Sequence, residues 1–550
     1  MTGALEGRWA QAFPTLTPAQ MGRLEAHGTR VQTRRGEILA ERGERFSKML
    51  VVLSGSLEVV RPTLTGELPI TVHERGGFTG EISTLRGLAI VVRVRVRDAG
   101  EVLVIAADKL RAIVQADAEL SELIMRAFIL RRVGLIDSQQ GDAVLIGSQH
   151  NADTLRLQQF LTRNGFPHMT LDIDRDSCVQ ALLDQFQVGV EDIPVVLCRG
   201  ELVLKNPSNE KVAKCLGMNP QIDACQVRDL LVIGAGPAGL AAAVYGASEG
   251  LDVLVIETGA PGGQAGSSSR IENYLGFPTG ISGGALAGRA LVQAQKFGAD
   301  VTVASSATRL VCDRQPYKIE LSDGHALRGR AIVIASGAEY RQPAIENLSR
   351  FLGRGVYYAA THVEAQLCGG EEIIVVGGGN SAGQGAVFLA SNCRHVHLLV
   401  RGPGLADSMS KYLIRRIENS PNVTLHTHTE LVELEGDGRL QRTVWRSGSE
   451  RQARDIGHVF LMTGAVPNTR WLAGCVQLDE KGFVRTGPDL QPDDAGSQAW
   501  PLARAPYLLE TSMPSIFAVG DVRSGSVKRV ASAVGEGSVS IPLVHRVLAE

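Results

Sequence analysis

The chain has 550 residues, too many for one hydrophobic core, so three or four domains are expected. Apolar residues make up 44%, and a net charge of −2 with interspersed acids and bases excludes the footprint of a nucleic-acid or anionic-membrane binder. The cysteines at 178, 198, 215, 225, 312, 368, 393 and 475 include no Cys-x-x-Cys pair, which argues against a zinc site, a disulfide scaffold and a local redox dithiol.

The N-terminus lacks the basic, apolar and small-residue succession of a secretory signal, so a cytoplasmic protein is expected. Residues 1–140 read as short strands between helices. Segments 31–40, 48–61, 69–74 and 91–105 are strand-like, and 17–27 and 107–132 have helical period. Gly55-Ser56-Leu57-Glu58-Val59 and Gly80-Glu81-Ile82 resemble the jelly-roll turn and phosphate cassette of cyclic-nucleotide-binding domains. In that family the Glu binds a ribose hydroxyl and a following Arg pairs with the cyclic phosphate. Here Ile90, after Ala89, stands at the Arg position. A buried phosphate without its Arg loses its strongest charge-assisted contact, so a degenerate sensor or docking module is expected.

Residues 141–225 form a second unit, with strands at 143–147 and 169–172, helices at 153–164 and 178–186, and the strand 193–197 before the hairpin Arg199-Gly200-Glu201. The pattern resembles a thioredoxin or glutaredoxin fold, in which Ile193-Pro194 is the cis-proline bond. The loop where that fold carries its dithiol reads Ser148-Gln149-His150-Asn151-Ala152. It has no cysteine, so a structural or docking role is expected.

From residue 229 the chemistry sharpens. An apolar strand leads into Gly234-Ala235-Gly236-Pro237-Ala238-Gly239 and a small-residue helix, and the next strand ends on Glu257. Gly234 makes the turn, Gly236 admits a diphosphate to the backbone N–H groups, and Gly239 allows close helix–strand packing. The helix N-terminus, with Pro237 and Ala238 in its first turn, faces the phosphates, and Glu257 accepts from a ribose hydroxyl. The uncharged run 230–248 contains this turn, so it is not read as a membrane span.

A second such unit lies at 372–390, where a strand runs into Gly377-Gly378-Gly379-Asn380-Ser381-Ala382 and a helix. Its next strand ends at Arg401. An acid there would suit NAD, whereas a cation suits the 2′-phosphate of NADP; a solvated surface residue is the alternative. Two dinucleotide folds in one chain imply an electron relay between a bound flavin and a diffusible nicotinamide.

From about 228 to 550 the chain resembles the low-molecular-weight thioredoxin reductases. The resemblance rests on Gly262-Gly263-Gln264, Ile271-Glu272-Asn273-Tyr274, Gly276-Phe277-Pro278, Ala335-Ser336-Gly337-Ala338, Gly464-Ala465-Val466-Pro467-Asn468-Thr469, Ile516-Phe517-Ala518-Val519-Gly520-Asp521 and Lys528-Arg529-Val530-Ala531. It implies that Gly263, Gln264, Asn273, Ser336, Gly337, Gly520 and Asp521 face FAD, with Arg529, Val530 and Ala531 laying backbone along the isoalloxazine. It also implies a homodimer joined through the FAD domain.

The chain departs from that family where Gly-Val-x-x-Cys-x-x-Cys should open the nicotinamide domain. It reads Gly355-Val356-Tyr357-Tyr358-Ala359-Ala360-Thr361-His362, so Ala359 and His362 replace the two cysteines. Without both thiols no disulfide forms there. His362 is the candidate catalytic residue, as a proton donor to reduced flavin or acceptor, with a structural role as the alternative. The family's His-Arg-Arg clamp is also replaced, by Val400-Arg401-Gly402, leaving NADPH and NADH both open.

The expected fold is therefore α/β. Two three-layer dinucleotide-binding units, FAD at 226–345 with 470–550 and NAD(P)H at 346–469, follow a β jelly roll and a thioredoxin-like unit. The expected function is an FAD-dependent NAD(P)H oxidoreductase, with ferredoxin, a thioredoxin-like protein, a quinone or dioxygen as acceptor and no nucleic-acid or membrane partner. Disulfide reduction through non-adjacent cysteines such as Cys215 and Cys225, and a non-catalytic redox or nucleotide sensor, are the alternatives.

Overall fold

A computed structural model describes residues 8–63, 66–80, 84–85, 89–137, 143–148, 151–175, 179, 183, 189–198, 202–490 and 500–550, without the side chains of residues 63, 136, 137, 190, 362 and 363. The first unit begins with helix α1 (Pro18–Glu25), started by a Thr17–Gln20 capping box. Strands β1 (Thr29–Thr33), β2 (Ile38–Ala40), β3 (Lys48–Thr63), β4 (Gly66–His73) and β5 (Arg93–Ala106) pair antiparallel in the order β1-β5-β3-β4, with β2 on β5. Their apolar residues close around Leu24, Met49, Phe78, Leu103 and Phe128.

The single helix read over 107–132 is instead two, α2 (Ala107–Ala116) and α3 (Ala118–Asp137). Asp117 between them is extended, at φ −110° and ψ 105°. Its carboxylate accepts the Leu120 N–H at 3.0 Å and pairs with Arg23 at 2.8 Å, so a new helix starts there. Glu81 and Ile82 lie outside the described residues. Ile90 is buried where the resembled nucleotide-binding family keeps an Arg.

The second unit has strands β6 (Ala143–Gly147), β7 (His168–Asp172), β8 (Val195–Cys198) and β9 (Leu202–Lys205) in the order β7-β6-β8-β9. β6 is parallel to β7 and antiparallel to β8. The Ile193–Pro194 bond is cis, as expected. Helix α4 (Ala152–Arg163) is capped by Asn151, whose Oδ1 accepts the Asp153 N–H at 2.8 Å, and the short α5 (Asn209–Cys215) closes the unit. The helix read over 178–186 and the hairpin residues 199–201 fall largely or wholly outside the described residues.

In the third unit the apolar strand β10 (Val227–Ile233) is sandwiched in a sheet whose parallel core runs through β11 (Val253–Ile256), β12 (Asp300–Thr302), β15 (Ala326–Ile334) and β26 (Ile516–Ala518). The antiparallel strands β13 (Ala307–Val311) and β14 (Tyr317–Leu321) complete one side. Helices α6 (Pro237–Ser248), α7 (Gly283–Lys296) and α11 (Val530–Ala549) pack on it. The uncharged run 230–248 thus splits into β10, a turn and α6, and no helix of the described residues is long and apolar enough to cross a membrane.

The fourth unit is a parallel sheet, β17 (Val356–Tyr357), β24 (Val459–Leu461), β18 (Glu372–Val376), β19 (His395–Leu399) and β20 (Val423–His426) in that order. It is flanked by α8 (His362–Leu367), α9 (Asn380–Ala390) and α10 (Lys411–Glu418). A small antiparallel sheet of β21 (Thr429–Glu435), β22 (Arg442–Ser447) and β23 (Glu450–Arg454) follows β20. The antiparallel pair β16 (Ala338–Tyr340) and β25 (Ala465–Pro467) forms the crossover between the two nucleotide-type units.

The cysteine spacing argued against a disulfide framework, yet Cys312 and Cys475 are joined across 163 residues. The bridge fixes the end of β13 to the segment after the crossover. It brings together two cysteines that no local spacing relates.

Candidate functional site

The site is built where the two parallel sheets end. β10 ends on Ile233, and Gly234 turns the chain at φ 105°; a Cβ there would lie 2.3 Å from the Ala335 carbonyl oxygen. A Cβ on Gly236 would meet only the Gly263 Cα, at 4.0 Å, so its free side opens on the cleft. Gly239 serves packing, because a Cβ would stand 1.9 Å from the Gly234 carbonyl oxygen. Pro237 starts α6, with Ala238 beside it, and the first-turn N–H groups have no partner within the helix.

Glu257 follows β11. Its carboxylate accepts the N–H groups of Ala235 (2.7 Å) and Gly259 (2.8 Å). Burial raises its pKa, opposed by these N–H groups and by Arg163. Across the cleft, Gly520 and Asp521 form one turn of 3-10 helix, and burial also raises the Asp521 pKa. Lys528 Nζ donates to the Asp521 carbonyl oxygen at 2.6 Å. Arg529 precedes α11 and Val530 begins it; both line the cleft.

The floor is a set of hydrogen bonds between distant segments. Gln264 Nε2 donates to the Ala338 carbonyl oxygen at 2.5 Å. Ser336 Oγ donates to the Asn468 carbonyl oxygen at 2.8 Å, and Asn468 Nδ2 returns a bond to the Ser336 carbonyl oxygen at 3.0 Å. Gly337, at φ 66°, accepts the Asn468 N–H through its carbonyl at 3.0 Å.

On the facing unit, Gly377 at φ 144° would place a Cβ 2.3 Å from the Met462 carbonyl oxygen, and Gly379 precedes α9 with open space around it. Asn380 Oδ1 accepts the Ser410 N–H at 2.8 Å. Ser381 faces the Tyr340 hydroxyl, whose pKa burial raises and Ser381 lowers.

These walls enclose one cleft of about 2300 Å³, more than the ~300–1,000 Å³ of an ordinary single-ligand pocket. It brings together Gly234, Gly236, Pro237, Ala238, Glu257, Gly263, Gln264, Asn273, Ser336, Gly337, Gly520, Asp521, Arg529, Val530, Asn380 and Ser381. Gly239, Ala531, Gly377, Gly379, Ala382 and Arg401 are not on its wall. Ala382 is on the buried face of α9, and Arg401 is exposed just beyond β19. His362 begins α8, and its side chain lies outside the described residues.

Sequence reasoning missed the contribution of the front half. Gln159, Thr162, Arg163 and Asn164 of the second unit line the cleft, as do Ile129, Arg132 and Val133 of α3. Arg163 Nη2 donates to the Gly263 carbonyl oxygen at 2.8 Å, and Asn164 Nδ2 to that of Gly259 at 3.3 Å. Leu155 of α4 is buried in the core of the nicotinamide-type unit with Tyr357 and Ala360. No local motif announces such contacts.

Two parallel sheets, each with a glycine-rich strand-to-helix turn near one shared cleft, define an oxidoreductase built for two dinucleotides. The chain belongs to the pyridine nucleotide-disulphide oxidoreductase family, which matches residues 228–537; residues 30–117 match the cyclic nucleotide-binding domain. The family implies the use of flavin and NAD(P)H. Thioredoxin reductase of Bacillus subtilis is 31% identical over 328 residues, covering 59% of this chain and 96% of that protein. NADPH-dependent thioredoxin reductase 3 of Arabidopsis thaliana is 31% identical over 334 residues, and the match spans only 58% of its length. Among solved structures, Lactococcus lactis thioredoxin reductase in its FR conformation matches with a TM-score of 0.52 and 27% identity, over 58% of this chain and 99% of that one.

Proposed function

We propose that this chain is an FAD-dependent NAD(P)H oxidoreductase whose acceptor is not a disulfide at positions 359 and 362. The observation that carries the reading is the shared cleft: the Gly234–Gly239 turn, Glu257 and Asp521 face it from one side, Asn380 and Ser381 from the other, and Ala359 stands where the resembled reductases carry a cysteine. Bound flavin supplies acceptance of hydride from a dihydronicotinamide.

The residues present fit that cofactor. The open side of Gly236 admits a diphosphate against the α6 N-terminus, and the Glu257 carboxylate, braced by two N–H groups, keeps lone pairs for ribose hydroxyls. The Ser336–Asn468 and Gln264–Ala338 bonds hold the walls at fixed separation, which orients a bound ring. Tyr340 and Ser381 form a polar contact between the facing units. Arg401, exposed and off the wall, supports NADH as readily as NADPH.

The Cys312–Cys475 bridge is also off the cleft wall, which supports a structural role for it, while Cys215 and Cys225 are free thiols. The acceptor is therefore sought among ferredoxin, a thioredoxin-like protein, a quinone and dioxygen. A homodimer joined through the flavin unit is part of this reading. Anaerobic mixing of the flavin-loaded chain with NADPH and NADH tests it, and absence of bleaching with both would refute it.

One observation favours a second reading. Helices α3 and α4 of the front half share the cleft with the flavin motifs, as expected if the chain reports its redox state to those units. Very slow reoxidation by every acceptor, with tight cofactor retention, would select this sensor.

A further inference from the structure

We infer that Arg163, supplied by α4 of the second unit, binds the diphosphate of the flavin dinucleotide, so that the flavin site is completed from outside the two nucleotide-type units. The inference rests on the proposed function and extends it to a residue beyond the family match, which begins at 228.

The geometry is local. Arg163 Nη2 donates to the Gly263 carbonyl oxygen at 2.8 Å. A Cβ on Gly263 would lie 3.1 Å from the Gly236 Cα, so the guanidinium is held beside the open glycine at the α6 N-terminus. That is where a diphosphate meets the helix in a glycine-rich dinucleotide turn.

The guanidinium keeps donors that no carboxylate or phosphate yet takes. Arg163 forms no ion pair among the described residues, and a guanidinium carries five N–H donors in a planar fork. Its surface stays accessible along the cleft, yet the protein packed round it lowers its pKa, opposed by the Glu257 and Glu364 carboxylates. The cation thus faces the cleft with donors that a phosphate would accept. Its backbone is anchored on both sides. Asn164 bonds to Gly259, and Leu155, two turns earlier on α4, is buried in the neighbouring core. An arginine on a free surface helix would have neither anchor.

The full-length, flavin-loaded chain tests this. Serial dilution of the wild type, Arg163→Ala and Arg163→Lys, with flavin release read by fluorescence, yields each FAD dissociation constant. Loss of a charge-assisted phosphate contact predicts about tenfold weaker retention in Arg163→Ala. Arg163→Lys should recover part of it, and the difference should shrink as salt rises. Equal retention by the wild type and a folded Arg163→Ala would overturn the inference; should that variant not fold, Arg163→Gln carries the same comparison. A wild type that neither holds nor takes up FAD would instead overturn the proposed function.

Discussion

Gln159 and Glu364, 205 residues apart, are joined by a hydrogen bond that ties the second unit to the helix at the lost cysteine positions. The Glu364 carboxylate is 1% exposed and also accepts the Thr361 N–H, at 2.8 Å, and the Thr361 hydroxyl. A buried carboxylate depends on such donors, so the contact is costly to break. With Leu155 in the core of that unit, α4 acts as a clamp across both nucleotide-type units.

The clamp predicts a graded response. Leu155→Ala should destabilise the chain by about 2–5 kcal/mol, and Gln159→Leu should leave Glu364 short of a donor. Both should speed amide hydrogen exchange over residues 356–367 more than in β10 and β11. Unchanged exchange there would mean that the contact holds nothing.

Two glycines of one turn should behave oppositely. Gly239→Ala forces a Cβ to 1.9 Å from the Gly234 carbonyl oxygen, so thermal unfolding should show a damaged fold even without cofactor. Gly236→Ala meets nothing closer than 4.0 Å and should fold normally while retaining FAD poorly. Equal behaviour of the two variants in the melting and flavin-retention assays would contradict the assigned roles.

His73 predicts a pH dependence. Burial, with the Arg131 cation nearby, lowers its pKa to about 3 from the usual 6.5. The unfolded chain therefore binds one more proton between those values, and stability contributed by neutral His73 is lost as pH falls below 6.5. The loss should reach about 2 kcal/mol by pH 5. Denaturant unfolding of His73→Leu should lack this slope; an unaltered slope would assign it elsewhere.

Removing the Cys312–Cys475 bridge by the double Ser substitution should cost about 2–4 kcal/mol of stability. Because the bridge is off the cleft wall, flavin reduction by NAD(P)H should keep its rate. A rate that fell with the bridge would make those cysteines part of electron transfer.

How much of this was legible depended on range. β10, α6, β11 and Glu257 were readable because apolar runs, glycine spacing and the terminal acid are local signals that the parallel sheet requires. The division at Asp117 was not, since part of its stabilisation comes from Arg23, far away in sequence. The Cys312–Cys475 pairing and the Arg163–Gly263 contact were hidden for the same reason. The exposed position of Arg401 became clear only in the fold, because a strand-terminal cation looks alike whether it faces a ligand or water.

In the proposed reaction flavin is the only redox group that the nicotinamide must fill. Anaerobic titration of the FAD-loaded chain with NADPH or NADH, followed by flavin absorbance, tests it most directly. Full bleaching is expected at about one reductant equivalent per flavin. A requirement for about two would reveal a redox-active disulfide and contradict it.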